Sequence, residues 1–321
     1  MISAVIPVFN EQESLPEFYK RLSNSLSKID KSHEIIFVDD GSTDGSLDIM
    51  KKFAAKDKHV KILSFRKNQG KSEGLTLGFQ MAKGDIIVTL DADLQDVPEE
   101  IERLYKKAKE GYELVCGWRK NRRDPVQKVI SSKFFNFIAK AFWGLDLHDY
   151  NCGLKLYSQE AAKSLRMYGG MHRFIPLLVY GQGFLVTEVP IEHRERMYGK
   201  SKYGFSKLWK DLPDILTMLF LTKYGKRPLH FFGTIGGLLF AIGLVVLSYL
   251  SWYHFTGHSI GTRPLLFLGI VLLLAGLQVL FTGFLADLLI NLSQTPKSVE
   301  ERFHFHLKYD STKKGAENIS L

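Results

Sequence analysis

The sequence predicts an α/β domain built on a largely parallel sheet, followed by two membrane-spanning helices. Three observations carry this. Short β-type runs alternate with helical patterns through the first half of the chain, apolar residues are concentrated late, and a β-rich run, Ile86-Ile87-Val88-Thr89-Leu90, delivers Asp91 and Asp93 at its carboxyl end. In open α/β sheets ligands bind just beyond the carboxyl ends of the strands, so these two acids stand where a substrate sits.

The strand-like runs are Ile2 to Val8, Glu34 to Val38, Val60 to Phe65, Ile86 to Leu90 and Leu114 to Trp118. Between them, helices read from Glu13 to Lys28, Gly45 to Ala55, Lys71 to Ala82 and Pro98 to Glu110, the last with Pro98 in its first turn. The turn after the first strand, Pro7-Val8-Phe9-Asn10-Glu11, lacks the Gly-x-Gly-x-x-Gly that lets a backbone approach a dinucleotide pyrophosphate, and no Walker-type loop is present. The strand ends carry Asn10 and Glu11, Asp39-Asp40-Gly41-Ser42, Asn68-Gln69-Gly70-Lys71 and Asp91-Ala92-Asp93 instead, so polar groups converge on one edge of the sheet.

Late in the chain, 23 residues from Phe231 to Tyr253 and 22 from Leu265 to Ala286 contain no acidic or basic side chain. Each run is long enough to cross a hydrocarbon core of roughly 30 Å. Lys223, Lys226 and Arg227 precede the first run, Lys297 and Arg302 follow the second, and the loop between them carries only Arg263. That excess puts both chain ends on the cytoplasmic side. The expected organisation is a cytoplasmic domain over residues 1–228, a two-helix hairpin over 229–292 and a cytoplasmic tail over 293–321. Met1 leads directly into a strand-like run, so export of the first domain is not expected. Two cysteines, Cys116 and Cys152, without metal-site spacing agree with a reducing compartment. The net charge of +9 comes with no nucleic-acid motif, so anionic lipid headgroups are the expected partner and nucleic acid is not.

Together, Val5-Ile6-Pro7-Val8-Phe9-Asn10-Glu11, Val38-Asp39-Asp40-Gly41-Ser42-Thr43-Asp44, Asn68-Gln69-Gly70-Lys71 and Asp91-Ala92-Asp93-Leu94-Gln95 resemble the inverting GT-A glycosyltransferases. Among these, the match is to the polyprenyl-phosphate hexose synthases related to dolichyl-phosphate mannose synthase, and it runs from Ile2 to about Ala286. It implies a Rossmann-like GT-A catalytic domain, a nucleoside diphosphate sugar donor, a polyprenyl phosphate acceptor and a Mg²⁺ or Mn²⁺ cofactor. It also allows a homotetramer.

By that resemblance, Pro7, Glu11, Asp39 and Asp40 hold the nucleoside, and Asp91, Asp93 and Gln95 hold the metal. Two carboxylates plus substrate oxygens suit a hard cation, although acids after a strand also serve as plain helix caps. Lys71, at a predicted helix start, faces a phosphate. In Asp149-Tyr150-Asn151-Cys152-Gly153-Leu154-Lys155, the family acid near the acceptor phosphate maps to Asp149, with a structural pairing to an Arg as the competing reading. Leu154 and Lys155 stand where the family often has Phe and Arg. Arg196-Met197-Tyr198-Gly199-Lys200-Ser201-Lys202 is similar to the family's Arg-x-x-Gly-x-Ser-Lys pattern, so Arg196, Ser201 and Lys202, together with Arg119 and Lys155, are the candidates for binding phosphate or acceptor.

Two apolar stripes at helical spacing, near 126–143 and 205–222, mix Phe, Trp, Ile and Leu with Lys and read as helices lying in the headgroup layer. The expected activity is transfer of a hexose, first choice glucose from UDP-glucose, to polyprenyl phosphate with inversion. Polysaccharide synthesis on another acceptor is the first competitor, but the Gln-x-x-Arg-Trp motif of processive synthases is absent. A membrane scaffold or flippase is the second, and spans without internal charged residues offer little for a translocation path.

Overall fold

The computed structural model describes residues 1–120, 140, 143–194, 217, 220–225, 227–261 and 264–293. Most of the two expected headgroup-layer helices, and Arg196, Ser201 and Lys202, lie outside the described residues. The chain divides into two units, Met1–Thr222 and Lys223–Leu321.

In the first unit, strands β1 (Ile2–Val8), β2 (His33–Asp39), β3 (Val60–Ser64), β4 (Ile86–Thr89), β5 (Leu114–Arg119), β6 (Lys155–Ser158) and β7 (Val186–Ile191) form one sheet. The spatial order is β3-β2-β1-β4-β6-β5-β7. Helices α1 (Leu15–Ile29), α2 (Ser46–Lys56), α3 (Lys71–Met81), α4 (Ile101–Ala108), α5 (Gln159–Ser164) and α6 (Ile175–Gly181) connect the strands. β1 is apolar on both faces because both are covered. Ala4, Ile6 and Val8 join Leu15, Phe18 and Leu22 of α1 in one core, while Val5 joins Leu75 and Phe79 of α3 in another. The spacing of Leu15, Phe18, Leu22 and Leu26 puts the buried residues of α1 on one face.

The chain runs from β1 outward to β2 and β3, then returns to β4 on the other side of β1, with all these pairings parallel. The carboxyl ends of β1 and β4 therefore flank a topological switch point, the place where open α/β sheets bind ligands.

Five strands are legible in the sequence; β6 and β7 are additions made by the structure. β6 is a four-residue strand inserted antiparallel between β4 and β5, aligning Thr89 with Lys155. It is too short and too fully buried to show a period of two. β7 carries Pro190 and lies at the sheet edge, where a missing backbone donor is tolerated.

The second unit contains α7 (Pro228–Phe255) and α8 (Pro264–Ser293), both long and apolar enough to cross a membrane. Their outward residues are large and apolar, including Leu238, Val245, Trp252, Phe267, Val271 and Leu289. An apolar exposed surface of this extent is foreign to a water-soluble monomer. The two helices approach through glycines: a Cβ at Gly236 would lie 2.7 Å from the Gly276 carbonyl oxygen, and one at Gly243 would lie 2.9 Å from the Gly269 carbonyl oxygen. Gly236 and Gly243, like Gly269, Gly276 and Gly283, recur every seven residues, which keeps them on one seam of each helix.

Candidate active site

The loops leaving β1, β2 and β3 are tied into one framework. Asn10 adopts φ 55°, a left-handed conformation that Asn tolerates better than most residues, and its side-chain oxygen accepts from Thr43 N at 2.8 Å. Asn10 N donates to Ser42 Oγ, and Glu11 N to Ser46 Oγ. Gly41 has φ +69°, and a Cβ there would sit 2.7 Å from the Lys67 carbonyl carbon, so both the turn and the close approach of the next loop require glycine.

Asp39 and Asp40 are buried, and their carboxylates are engaged by the framework itself. Asp39 accepts from Ser42 N at 3.1 Å and Ser64 Oγ at 2.7 Å. Asp40 accepts from Gln69 N at 2.7 Å and Gly70 N at 3.1 Å, shaping the turn that opens α3. Pro7 and Glu11 are half-buried at the end of β1. Lys71, the first residue of α3, reaches across to form an ion pair with Asp91.

Beyond β4, Asp93 accepts from Gln95 N at 3.2 Å across Leu94, a buried residue held at φ 62°. Asp93 and Gln95 themselves are half-buried. Burial pushes the Asp91 carboxyl up, but the Lys71 ammonium overcomes this and holds it below the usual carboxylate range. Asp96, almost fully buried, goes the other way: burial and then the Asp91 charge push it up to about 6.

Gly153 makes room for both acids. A Cβ there would lie 2.6 Å from Asp96 Oδ2 and 2.9 Å from Asp91 Oδ2, so the two oxygens are no farther apart than the sum of those distances. Thr89 Oγ1 secures this segment by donating to the Gly153 carbonyl at 3.0 Å.

Mg²⁺ and Mn²⁺ suit this donor set. The carboxylate oxygens of Asp91 and Asp93 and the amide oxygen of Gln95 are hard donors of the kind these ions take, and Asp91 is engaged by the Lys71 ammonium in the structure. A site that leaves coordination positions for diphosphate oxygens is the usual arrangement for Mg²⁺.

Asp149 and Arg119 meet as the structural pairing weighed from the sequence. Arg119 Nε and Nη2 donate to the two Asp149 oxygens at 2.6 and 3.0 Å, and Asn151 N adds a third hydrogen bond at 3.1 Å. Both side chains are largely shielded from water; burial works against the Arg119 charge, but Asp149 raises its pKa further. Lys155 is 4% exposed, and its ammonium donates to the Cys152 carbonyl. Its charge acts on Asp91 and Asp96 from within the domain.

Sequence reasoning missed Asp96 and Gly153, and also Ser72 on α3 and His172 in the 3-10 turn Met171–Phe174, with Ser72 Oγ and His172 Nδ1 lying 3.0 Å apart next to Lys71. Asp96 follows Gln95 directly, and the acids just before it were its signal; the lone His172 had none.

A glycosyl transferase family 2 model matches residues 3–166. The chain is 36% identical over 294 residues to a dodecaprenyl-phosphate galacturonate synthase of Rhizobium johnstonii, covering 90% of this chain and 87% of that protein. The chain belongs to glycosyl transferase family 2. A second relative within reach of this glycosyltransferase is an undecaprenyl-phosphate 4-deoxy-4-formamido-L-arabinose transferase of Salmonella choleraesuis, 38% identical over 250 residues, with 77% of this chain and 76% of that one covered. The crystal structure of glucosyl-3-phosphoglycerate synthase from Mycobacterium tuberculosis with Mn²⁺, UDP and phosphoglyceric acid superposes with a TM-score of 0.54 at 20% identity, over 69% of this chain and 78% of that one. The fold of the first unit is thus GT-A, as the strand-end acids imply.

Proposed function

We propose that this glycosyltransferase moves a hexose-type sugar from a UDP-linked donor to polyprenyl phosphate at the cytoplasmic membrane face, with inversion at the anomeric carbon. The observation that supports this most is the conjunction of the Asp91-x-Asp93 strand end with two candidate membrane spans in one chain. Similarity to two polyprenyl-phosphate sugar transferases over most of its length supports the same acceptor. Glucose, the choice made from the sequence, competes with galacturonate and the formamido-arabinose moved by those relatives.

In this reading Pro7, Glu11, Asp39 and Asp40 form the nucleoside end of the site. Asp39 and Asp40 act through the loops they hold. Asp91 and Asp93, with Gln95, would hold the divalent cation, which supplies Lewis-acid neutralisation of the departing diphosphate. Lys71 stands at the start of α3, where its ammonium, paired with Asp91 in the structure, would meet the diphosphate oxygens of the donor.

The acceptor, a phosphate monoester with a second pKa of about 6, is largely dianionic at neutral pH and needs little deprotonation. Asp149 therefore serves chiefly to orient the Arg119 guanidinium toward the acceptor phosphate. Arg196, Ser201 and Lys202 complete the phosphate contacts, and the apolar stripes near 126–143 and 205–222 bring the domain down to a lipid that cannot leave the bilayer surface.

The test is transfer of radiolabel from a panel of UDP- and GDP-sugars to undecaprenyl phosphate in detergent, with and without EDTA, for wild type and Asp93→Ala. EDTA-sensitive labelled lipid that disappears in Asp93→Ala is the expected result. Absence of labelled lipid from every donor, with protein that still binds UDP, refutes the acceptor assignment.

A further inference from the structure

The loop between α5 and α6 is fastened to one face of α3. Met167 N donates to Thr76 Oγ1 at 3.1 Å, Thr76 Oγ1 lies 3.2 Å from the Met167 carbonyl, and Gly169 N donates to Glu73 Oε1 at 2.9 Å. Ser72 closes the set, and its hydroxyl determines the state of His172. Ser72 Oγ has a single proton, which it gives to the Gly169 carbonyl at 2.7 Å. The same oxygen lies 3.0 Å from His172 N and 3.0 Å from His172 Nδ1, so it accepts from both.

Nδ1 must therefore carry a hydrogen. Burial, then the neighbouring Lys71 and Arg173 charges, push the imidazole down to about 3, so the ring is neutral and has no second proton. The remaining nitrogen, Nε2, is a bare acceptor. Among the described residues nothing bonds to it, yet it is not a fully buried atom. The ring stands within electrostatic reach of Lys71, Asp91 and Lys155, and Ser72, which holds it, directly follows Lys71 on α3.

Around that point the protein presents ammonium donors and carboxylates already committed to them. A neutral, rigidly held acceptor is a different chemistry: it suits an uncharged donor such as a sugar hydroxyl and offers nothing to a phosphate oxygen. We propose that His172 presents the Nε2 lone pair to a hydroxyl of the transferred sugar and takes part in selecting that sugar. Ser72 is then the positioning residue that fixes the ring and its tautomer. This rests on the proposed function, because it needs a nucleotide sugar bound with its sugar beside Lys71.

The experiment pairs the enzyme with donor analogues. For the nucleotide sugar that the panel identifies, each hydroxyl is removed in turn, and kcat/KM is measured with full-length wild type, His172→Phe and His172→Asn in detergent. In wild type one deoxy donor is expected to fall about tenfold below the parent, the effect of one lost neutral hydrogen bond to a half-buried acceptor. In the variants the parent falls by about the same factor, that single deoxy donor loses its handicap, and the other deoxy donors keep theirs.

A merely structural His172 would lower every donor alike and leave all the ratios unchanged, which overturns the proposal. His172→Asn retains a donor for Ser72 and keeps the comparison readable should the Phe variant fold poorly. Displacement of bound UDP by the same analogues reads the same ratios as affinities. If no donor labels the lipid, the parent is the nucleotide sugar that displaces UDP most tightly, so an enzyme that refutes the acceptor assignment still decides the role of His172.

Discussion

Replacing Arg119 by Met is expected to destabilise the catalytic unit by several kcal/mol. The pair it breaks is bidentate, at 2.6 and 3.0 Å, with side chains only 11% and 3% exposed. Its loss leaves the Asp149 carboxylate buried, with Asn151 N as a remaining hydrogen-bond donor. An uncompensated buried charge of this kind costs about 3–5 kcal/mol. In a domain of this size each kcal/mol moves the melting temperature by about 2–4 °C, so the fall is on the order of 10 °C.

The sharper half of the prediction is the double variant. Arg119→Met with Asp149→Leu removes the stranded charge as well, and a buried ion pair replaced by apolar groups of similar size is close to neutral. The double variant should therefore melt higher than Arg119→Met alone, followed by tryptophan fluorescence of full-length protein in detergent. A single-variant fall below about 2 °C, or a double variant that loses the sum of the two single losses, would refute the reasoning.

Asp96 has a folded pKa raised to about 6, so its ionised form is disfavoured in the fold. Its destabilising effect is absent below the unfolded value near 4, grows as pH rises to about 6 and is constant above that. In EDTA, Asp96→Asn should therefore be more stable than wild type at pH 7, by about 3 kcal/mol, and match it near pH 4 in denaturant titrations. An advantage independent of pH would contradict this assignment. In the hairpin, Gly236→Leu should reduce the yield of monodisperse protein in detergent, because its side chain meets the backbone of α8. Gly237→Leu, with nothing within 4 Å of its Cβ, is the matched control, and equal losses in both would refute the glycine seam.

The acids of the site were readable from the sequence because strand-end position is a local property. A β-rich run sets its own carboxyl end, so Asp39, Asp40, Asp91 and Asp93 could be placed on one sheet edge without knowing the order of the strands. Lys71 was likewise placed at the start of its helix by the Gly70 before it. The two apolar runs depend only on length and the absence of charge. Family membership followed from the same motifs, since their order along the chain survives without any tertiary information.

Which charges meet was decided by tertiary structure. Lys71 reaches Asp91 because β4 returns beside β1, and Lys155 is buried because β6 inserts antiparallel against Thr89. Asp149 finds Arg119 thirty residues away, and Ser72 finds His172 a hundred residues away. Local periodicity carries no record of such pairings, whose partners depend on which strands become neighbours. The sequence by itself therefore determined the kind of chemistry at the sheet edge, the family and the apolar hairpin. The fold decided which carboxylates are held charged by a cation, which is pushed toward neutrality by burial, and which loop histidine is set beside them as a neutral acceptor, because solvent exclusion and neighbouring charge arise only when distant segments converge.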